Sequence, residues 1–309
     1  MSWVQGLLGR GLKLSHLQMM VAFAETGQIG VAAGRLGITQ PAASRLLSEV
    51  EVILATPVRA RFGRGVVLTE AGRVLAGRAA RVMLELQEAA REVAEVTGGG
   101  VGRVRIGAVT APALDIVLPA LRTARLSHPK ILSEVVVASS DILCDQLAAG
   151  RLDFAIGRVP AGVDADLFVA EVIAAEPVAL VVRRGHRLAD AGPAQVADLL
   201  DFDWVMPGAD SPLTLAVLAR LAELGLPRPT QRLSTASFLL TLALLQQSNV
   251  VAPLAQAVAD QFATGPDAAF VQLRVDLAIT VAPFSLLTRK GLRLPAAAET
   301  ILRLVRLAM

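Results

Sequence analysis

The stretch Gly30–Leu54 constrains the fold more than any other part of the sequence, because its pattern is typical of two short helices joined by a tight turn. Gly37 stands where the first helix must end, since glycine adopts the left-handed conformation at little cost. Thr39 is a good N-cap for the second helix, and Pro41 fits its first turn, where the missing N–H is not needed. The stretch predicts a helix-turn-helix that presents its second helix to the major groove of DNA.

The flanking segments extend this motif to a domain over residues 13–72. Ser15 is expected to cap a preceding helix, His16–Thr26, and a β-hairpin is expected over Val58–Thr69, turning at Gly63-Arg64-Gly65. A helix-turn-helix followed by an arginine-tipped hairpin is a winged arrangement, whose wing contacts phosphates or a minor groove. Residues 1–72 hold seven Lys and Arg against four Glu, which suits a nucleic-acid partner.

A long amphipathic helix is predicted next, over residues 73–97. Its apolar positions recur at alternating spacings of four and three residues, which is the seam of a coiled coil: Leu75, Ala79, Val82, Leu86, Ala89, Val93 and Val96. A second copy of the chain is the simplest partner for this seam, and packing within its own domain is the alternative. Residues 98–102 then read as a glycine hinge rather than a phosphate-binding loop, because no strand precedes them and no Lys-Ser or Lys-Thr follows.

The remainder, residues 103–309, alternates short apolar strands with helices, which predicts an α/β domain containing parallel strands. Its length suffices for two small lobes, one formed by about 103–165 and 275–309 and the other by about 166–274. Ligands bind such domains at the carboxyl ends of strands, so a small-molecule site is expected in the cleft between the lobes.

Enzymatic and metal chemistry find little support in the sequence, and neither a catalytic residue nor a cofactor is expected. The three histidines are scattered without metal-ligand spacing, and the single cysteine, Cys144, excludes an intrachain disulfide or multi-cysteine zinc site. Ser127 and Lys130 match a Ser-x-x-Lys pattern only by letter, because Pro129 interrupts it.

A membrane partner is not expected either. The longest charge-free run is strongly apolar only over Phe238–Leu245, shorter than the roughly 20 residues needed to span a bilayer. The N-terminus lacks the plan of a signal peptide, and the expected location is the cytoplasm.

Taken in order, these parts resemble the LysR-type transcriptional regulators from about Leu14 to the last helix. The motifs that carry the resemblance are Leu17-Gln18, Phe23, Ala32–Leu36, Thr39–Arg45, Glu51, Gly63–Gly72, Gly150–Gly157 and Val181–Leu188. The resemblance implies an N-terminal all-α winged helix-turn-helix, a dimerising linker helix and a C-terminal two-lobed effector domain shaped like a periplasmic binding protein. It also implies a homo-oligomer, usually a dimer of dimers, in which a small coinducer changes how promoter DNA is bent.

Candidate DNA contacts lie in the second helix of the motif and in the wing. Glutamine suits adenine edges, arginine suits guanine, and serine suits bases or phosphate; the candidates are Thr39, Gln40, Pro41, Ser44, Arg45, Arg61 and Arg64. Thr39 and Pro41 are expected mainly to hold the geometry. The competing interpretation of the other candidates is a solvated surface.

Candidate effector contacts are hydroxyl groups near strand ends and helix starts, with one arginine as a possible charge partner: Thr110, Ser139, Ser140, Arg158, Ser211 and Ser234. Helix capping is the competing interpretation of the hydroxyls. Such positions favour a small organic or aromatic acid, while sugars and amino acids also fit. The candidate dimer contacts are Leu75, Val82, Leu86 and Val93.

Two points stay open from the sequence. Val58-Arg59 replaces the usual Leu-Phe pair before the wing, which puts the packing of the strand Val58–Arg61 in question. The alternative function is a small-molecule-binding or -processing α/β protein whose N-terminal helices serve only assembly.

Overall fold

The computed structural model describes residues 6, 9–63, 65–97, 102–189, 192–265 and 267–309. The chain divides into two compact units, Met1–Gly100 and Val101–Met309. No helix among the described residues is long and apolar enough to cross a membrane.

The elements that the structure describes in the first unit are α1 (Leu14–Thr26), α2 (Ile29–Arg35), α3 (Gln40–Leu54), β1 (Arg59–Phe62), β2 (Gly65–Leu68) and α4 (Glu70–Thr97), with β1 and β2 forming a hairpin. Its core is an apolar cluster of residues from helices α1 to α4 and Val58, against which β2 packs; the cluster includes Met19, Phe23, Ala32, Leu47, Val50, Val58 and Ala76. The small residues of α2 allow α1 and α3 to pack closely on it.

The turn between α2 and α3 is that of a helix-turn-helix, as predicted. Gly37 has a φ of +65°, and the Ile38 N–H donates to the Ala33 carbonyl at 3.0 Å. Thr39 caps α3 by accepting a hydrogen bond from the Ala42 N–H at 3.4 Å.

The first helix begins earlier than the sequence predicts. Its N-cap is Lys13, and Ser15 lies inside the helix. The reason is local, because the His16 imidazole accepts the Lys13 backbone N–H at 3.0 Å and so satisfies a group at the helix start.

The wing strands are antiparallel, with Arg61 opposite Val66. Val58, which precedes β1, is fully buried, and the Arg59 guanidinium donates to the Ser48 hydroxyl at 2.7 Å and lies 3.6 Å from the Glu51 carboxylate. Glu51 also accepts the backbone N–H groups of Val58 and Arg59, at 3.2 and 3.3 Å. The strand is therefore held by the buried side chain of Val58 and by an ion pair of Arg59 with Glu51.

The start of α4 lies against β1 with no room for a side chain. A Cβ added at Gly72 would overlap the Val58 carbonyl oxygen and lie 3.0 Å from Leu68 Cδ2. The Thr69 hydroxyl accepts the Gly72 N–H at 3.1 Å. Glycine is thus required for the close approach of the helix to the wing.

The first turns of α4 pack on α1 and bury Ala76 and Ala79, so the predicted seam begins within the unit's own core at Ala79. Further along, the predicted seam is exposed within this chain at Val82, Leu86 and Val93.

The second unit contains a mixed sheet with flanking helices. In chain order its elements are β3 (Arg103–Ala108), α5 (Thr110–Pro112), a π-helical turn (Ala113–Val117), α6 (Leu118–Ser127), β4 (Leu132–Val137), α7 (Ser140–Ala148), β5 (Phe154–Gly157), a 3₁₀ turn (Ala165–Leu167), β6 (Phe168–Arg183), α8 (Val196–Leu199), β7 (Val205–Met206), α9 (Pro212–Glu223), β8 (Leu233–Ser234), α10 (Phe238–Gln247), β9 (Ala252–Ala255), α11 (Gln256–Phe262), β10 (Phe270–Gln272), β11 (Ile279–Arg289) and α12 (Ala296–Ala308).

The sheet order is β4-β3-β5-β11-β6-β10, and β9 also pairs with β6. Strands β3, β4 and β5 are parallel, as the alternating pattern predicts, whereas β11 is antiparallel to both β5 and β6. A separate parallel pair, β7 and β8, belongs to the second lobe.

Two strands run through both lobes. The first half of β6 pairs with Phe284–Arg289 of β11 in the first lobe, and its second half pairs with β9 and β10 in the second lobe. The chain therefore crosses near Glu176–Pro177 and, after a register shift, between Val281 and Phe284. The lobe boundaries expected from the sequence, at about 165/166 and 274/275, lie before these crossings, because β6 and β11 each continue from one lobe into the other as a single strand.

Each lobe has its own apolar core. The first lobe packs α6 and α12 on the sheet through Val104, Ile106, Phe154, Leu286, Ile301 and Val305. The second lobe is centred on Trp204, whose indole N–H donates to the Leu199 carbonyl at 2.9 Å.

Candidate nucleic-acid interface and effector cleft

The first turns of α3 present three of the predicted contact residues. Gln40 is exposed and its amide lies against Gly30 of α2, Ser44 is half-buried, and Arg45 is 82% exposed. Thr39 and Pro41 occupy the cap and the first turn, which is where the sequence places them. The arrangement leaves polar groups on an accessible helix start that is held from beneath by the core.

Arg45 is tied to a carboxylate that the sequence analysis did not single out. The Arg45 Nε donates to Glu49 Oε1 at 3.0 Å, and Glu49 Oε2 lies 2.9 Å from His16 Nε2. Hydrogen bonds from His16 and Arg45 lower the pKa of Glu49 below its ordinary value. The Arg45–Glu49 spacing of four residues could have been read from the sequence, whereas no pattern indicates the His16 contact, 33 residues away.

Arg61 is exposed on the wing strand β1. Arg64, the other wing candidate, lies outside the described residues. The exposed ring of Phe62 stands next to the turn.

In the second unit, four predicted effector residues come to one edge of the first lobe. Thr110 follows β3, Ser139 and Ser140 follow β4, and Arg158 follows β5, and these three strands are parallel neighbours. The Ser140 hydroxyl accepts the Arg158 backbone N–H at 3.0 Å. Parallel strands end at the same edge, so the topology explains the grouping.

Arg158 is not a free cation at this edge. Its guanidinium donates to Glu176 at 2.7 Å and to the Ala282 carbonyl at 2.7 Å, and it lies over the Phe284 ring. The side chains of Arg158 and Glu176 are 16% and 15% exposed. Arg158 thus connects the end of β5 to both crossing strands, and its charge is neutralised.

Ser139 lies close to a carboxylate at the start of α7. Its hydroxyl is the main cause of the lowered pKa of Asp141, in the first turn of that helix. The start of α7 therefore already carries a negative charge of its own.

Two further candidates lie in the second lobe. Ser211 caps α9 and accepts the Thr214 N–H at 3.5 Å. Ser234 was expected to open a helix, but it lies in β8, paired with Met206, and Ser237 caps α10 instead by accepting the Leu240 N–H at 3.3 Å. Both Ser211 and Ser234 are near the carboxyl end of the β7–β8 pair.

The two lobes touch close to Thr110. Ala111, the next residue, is buried in an apolar cluster of the second lobe with Ala252, Leu254, Val258 and Ala259. The first lobe's helix start is thereby attached to the opposite wall of the cleft.

No group of three or more His, Cys, Asp or Glu residues that could hold a metal ion occurs in the part of the chain that the structure describes. Cys144 is buried, and its thiol lies 3.5 Å from the Arg158 carbonyl.

A winged helix-turn-helix in one unit and a two-lobed α/β domain with polar strand ends in the other define a ligand-responsive, DNA-binding transcriptional regulator. Comparisons with known proteins agree with this class. Residues 14–73 match the family "Bacterial regulatory helix-turn-helix protein, lysR family", and residues 97–309 match "LysR substrate binding domain". The chain belongs to the LysR family.

Several curated relatives are transcriptional regulators. The chain is 43% identical over 257 residues to the HTH-type transcriptional regulator GbpR of Rhizobium radiobacter, covering 82% of this chain and 85% of that protein. It is 35% identical to GbpR of Azospirillum brasilense, covering 96% and 86%, and 27% identical to the regulator PcaQ of Agrobacterium fabrum, covering 79% of each.

Solved structures share the fold. Full-length CbnR in complex with its target DNA superposes with a TM-score of 0.61 at 21% identity, covering 96% of this chain and all of that one. A full-length OxyR variant from Pseudomonas aeruginosa gives a TM-score of 0.61 at 19% identity, covering 96% and 95%. The family match at residues 14–73 favours a regulator over an α/β protein whose front helices serve only assembly.

Proposed function

We propose that this regulator acts as a dimer of dimers that reads double-stranded promoter DNA with α3 and the wing and senses a small organic acid in the cleft between its lobes. In this proposal residues 13–72 bind DNA, 73–97 dimerise, 98–102 form a hinge and 103–309 bind the effector. The observation that carries it is the exposed start of α3, where Gln40 and Arg45 stand on a helix fixed by a buried core.

The DNA contacts are assigned by chemistry. Gln40 and Arg45 suit base edges, Ser44 suits a base or a phosphate, and Arg61 and Arg64 suit the backbone or a minor groove. Arg45→Ala is expected to weaken binding and to relax specificity at one base pair. Arg61→Ala is expected to weaken binding to all sequences and to make the salt dependence shallower.

An anisotropy titration at several salt concentrations tests this assignment, using a duplex that the wild-type protein selects from a random library. Arg232→Ala, an exposed arginine in the second unit, is the control. Unchanged affinity and specificity of Arg45→Ala would remove Arg45 from the interface.

Dimerisation is assigned to the seam of α4. Val82, Leu86 and Val93 are exposed within one chain, and Leu75 begins the same seam. Burying apolar side chains of this size against a second copy stabilises by roughly 1.5–3 kcal/mol each. Leu86→Glu is expected to dissociate the dimer, whereas Gln87→Glu, exposed on another face, is the matched control. Sedimentation that shows the same oligomer for both variants would contradict this role.

Assembly beyond the dimer is assigned to exposed apolar side chains of the second unit. They lie on β4, an edge strand of the sheet, and on α6: Leu118, Leu126, Leu132, Val135 and Val137. Patches of this kind mark interaction sites in soluble proteins. Leu126→Glu is expected to leave the α4 dimer intact and to abolish the tetramer in the same sedimentation experiment.

The effector site is assigned to Thr110, Ser139 and Ser140 on one wall and to Ser211 and Ser234 on the other. Hydroxyl groups and the backbone N–H groups at the start of α7 can hold a carboxylate. Because Glu176 neutralises its charge, Arg158 is expected to hold the end of β5 against the crossing strands rather than to attract an anionic effector.

A neutral, hydroxyl-rich effector such as a sugar is the second candidate. It is favoured by the paired Arg158 and by Asp141, whose carboxylate at the start of α7 would repel an anion. A thermal-shift screen of the full chain separates the candidates by testing small carboxylates beside their amides and a panel of sugars. Stabilisation by an acid but not its amide supports the first candidate, and stabilisation by sugars alone supports the second.

A further inference from the structure

Three hydrogen-bonded side chains, His16, Glu49 and Arg45, connect the core of the DNA-binding unit to its surface. His16 is 1% exposed; its Nδ1 accepts the Lys13 backbone N–H, so its Nε2 carries the hydrogen and donates to Glu49 Oε2 at 2.9 Å. The other carboxylate oxygen, Glu49 Oε1, accepts the Arg45 Nε–H at 3.0 Å. The carboxylate is thus held at one oxygen from the core and at the other from the recognition helix.

This arrangement differs from an ordinary surface ion pair. An isolated pair four residues apart on a helix is weak, because holding two long side chains in one geometry costs conformational entropy. Here the buried His16 imidazole holds the Glu49 carboxylate through a contact that does not depend on Arg45. The entropy lost in orienting Arg45 is therefore smaller than in an unsupported pair.

The contact also selects which edge of the guanidinium faces outwards. Glu49 occupies Nε, and within the described residues Nη1 and Nη2 of Arg45 make no hydrogen bond. Two adjacent N–H donors are what a guanine needs, since its O6 and N7 accept a bidentate arginine in the major groove.

We propose that Glu49 and His16 are positioning residues that hold Arg45 so that its two terminal nitrogens recognise the guanine of one G·C base pair. The inference rests on the proposed DNA-binding role of Arg45. The arrangement also has an expected cost. The Glu49 carboxylate is 40% exposed beside Arg45, so its negative charge would repel DNA phosphates and lower the affinity for all sequences.

The test measures binding of the full chain to a duplex selected by the wild-type protein from a random library, and to every single-base-pair variant of that duplex. Arg45→Ala is expected to lose discrimination at one G·C pair by roughly 5- to 150-fold. Glu49→Ala is expected to lose discrimination at that same pair and at no other, and to bind unrelated DNA more tightly than the wild type. In the Arg45→Ala background, Glu49→Ala is expected to cause no further loss of discrimination.

Glu25→Gln is the matched control, because Glu25 pairs with Arg35 at 2.8 Å on the surface of the same unit; it is expected to leave base discrimination unchanged. His16→Gln tests the contact between the buried imidazole and Glu49, and it is expected to lower discrimination at the same base pair. If this variant does not fold, Glu49→Ala still tests the inference, because Glu49 is partly exposed.

The inference is overturned if Glu49→Ala changes the affinity equally for all duplexes. Glu49 would then act only by electrostatic repulsion of DNA. If Arg45→Ala discriminates as the wild type does, the role of Arg45 and this inference both fall, while DNA binding stands. If the wild type selects no duplex, the proposed DNA-binding function itself fails.

Discussion

Gly72 offers a sharp test of how the long helix joins the wing. Substitution by alanine adds one methyl group, which would overlap the Val58 carbonyl oxygen and lie 3.0 Å from Leu68 Cδ2. Because the first of these neighbours is backbone, no side chain can rotate away, and either α4 or β1 must move.

The magnitude follows from two opposing effects. Alanine in place of glycine within a helix stabilises by about 0.8–1 kcal/mol. Overpacking against a rigid neighbour costs about 1–3 kcal/mol. Gly72→Ala is therefore expected to destabilise the first unit by up to about 2 kcal/mol, which lowers the melting temperature of a domain this size by roughly 4–8 °C per kcal/mol.

Gly77 is the matched control. It lies in the same helix, is exposed, and would have no atom within 4 Å of an added Cβ. Gly77→Ala should therefore stabilise by the helix-propensity gain alone, about 0.8–1 kcal/mol. Hydrogen exchange followed by mass spectrometry, at one protein concentration, reports the unfolding free energy in peptides from α1 to α3. Equal stabilisation by both substitutions would refute the close approach at Gly72.

Two further predictions concern the second unit. Arg158→Ala leaves Glu176 without its partner at a largely enclosed site, so it should lower the free energy of unfolding in denaturant by about 1–3 kcal/mol. Arg232 forms an exposed pair with Asp203, so Arg232→Ala should change that free energy by no more than about 0.5 kcal/mol. Equal losses for the two variants would contradict the role of the enclosed pair. Burial raises the pKa of the Cys144 thiol from 9.0 to about 11. A disulfide reagent at pH 8 should therefore label Cys144 only after unfolding. The contribution of the raised pKa to the free energy of unfolding should be complete below pH 9 and should decline as the pH rises through about 11.

Local signals account for the parts of the fold that the sequence predicts well. Gly37, Thr39 and Pro41 act on their immediate neighbours, and the structure contains the turn and the capped helix that they predict. The seam of α4 was equally readable, because a repeat of apolar residues is a property of one helix.

The features that the sequence missed depend on contacts between distant segments. The β6 strand begins at Phe168 because its exposed first half pairs with β11, more than a hundred residues later. The sequence predicts Arg158 as a charge partner for an effector, whereas in the structure its guanidinium donates to Glu176 and to the Ala282 carbonyl. Likewise, Arg45 was recognisable as a candidate contact, whereas the support that it receives from His16 was not.

The two strands shared by the lobes also fix an order of events during synthesis. The second lobe is inserted within the first, so its strands β6, β9 and β10 have left the ribosome before the first lobe can be completed. The first lobe's core includes Leu286, Ile301 and Val305, which are synthesised after the second lobe. In the nascent chain Val104, Ile106 and Phe154 therefore stay exposed to aggregation until α12 has been synthesised. Deletion of α12 alone is expected to destabilise the first lobe, although most of that lobe's strands are made earlier.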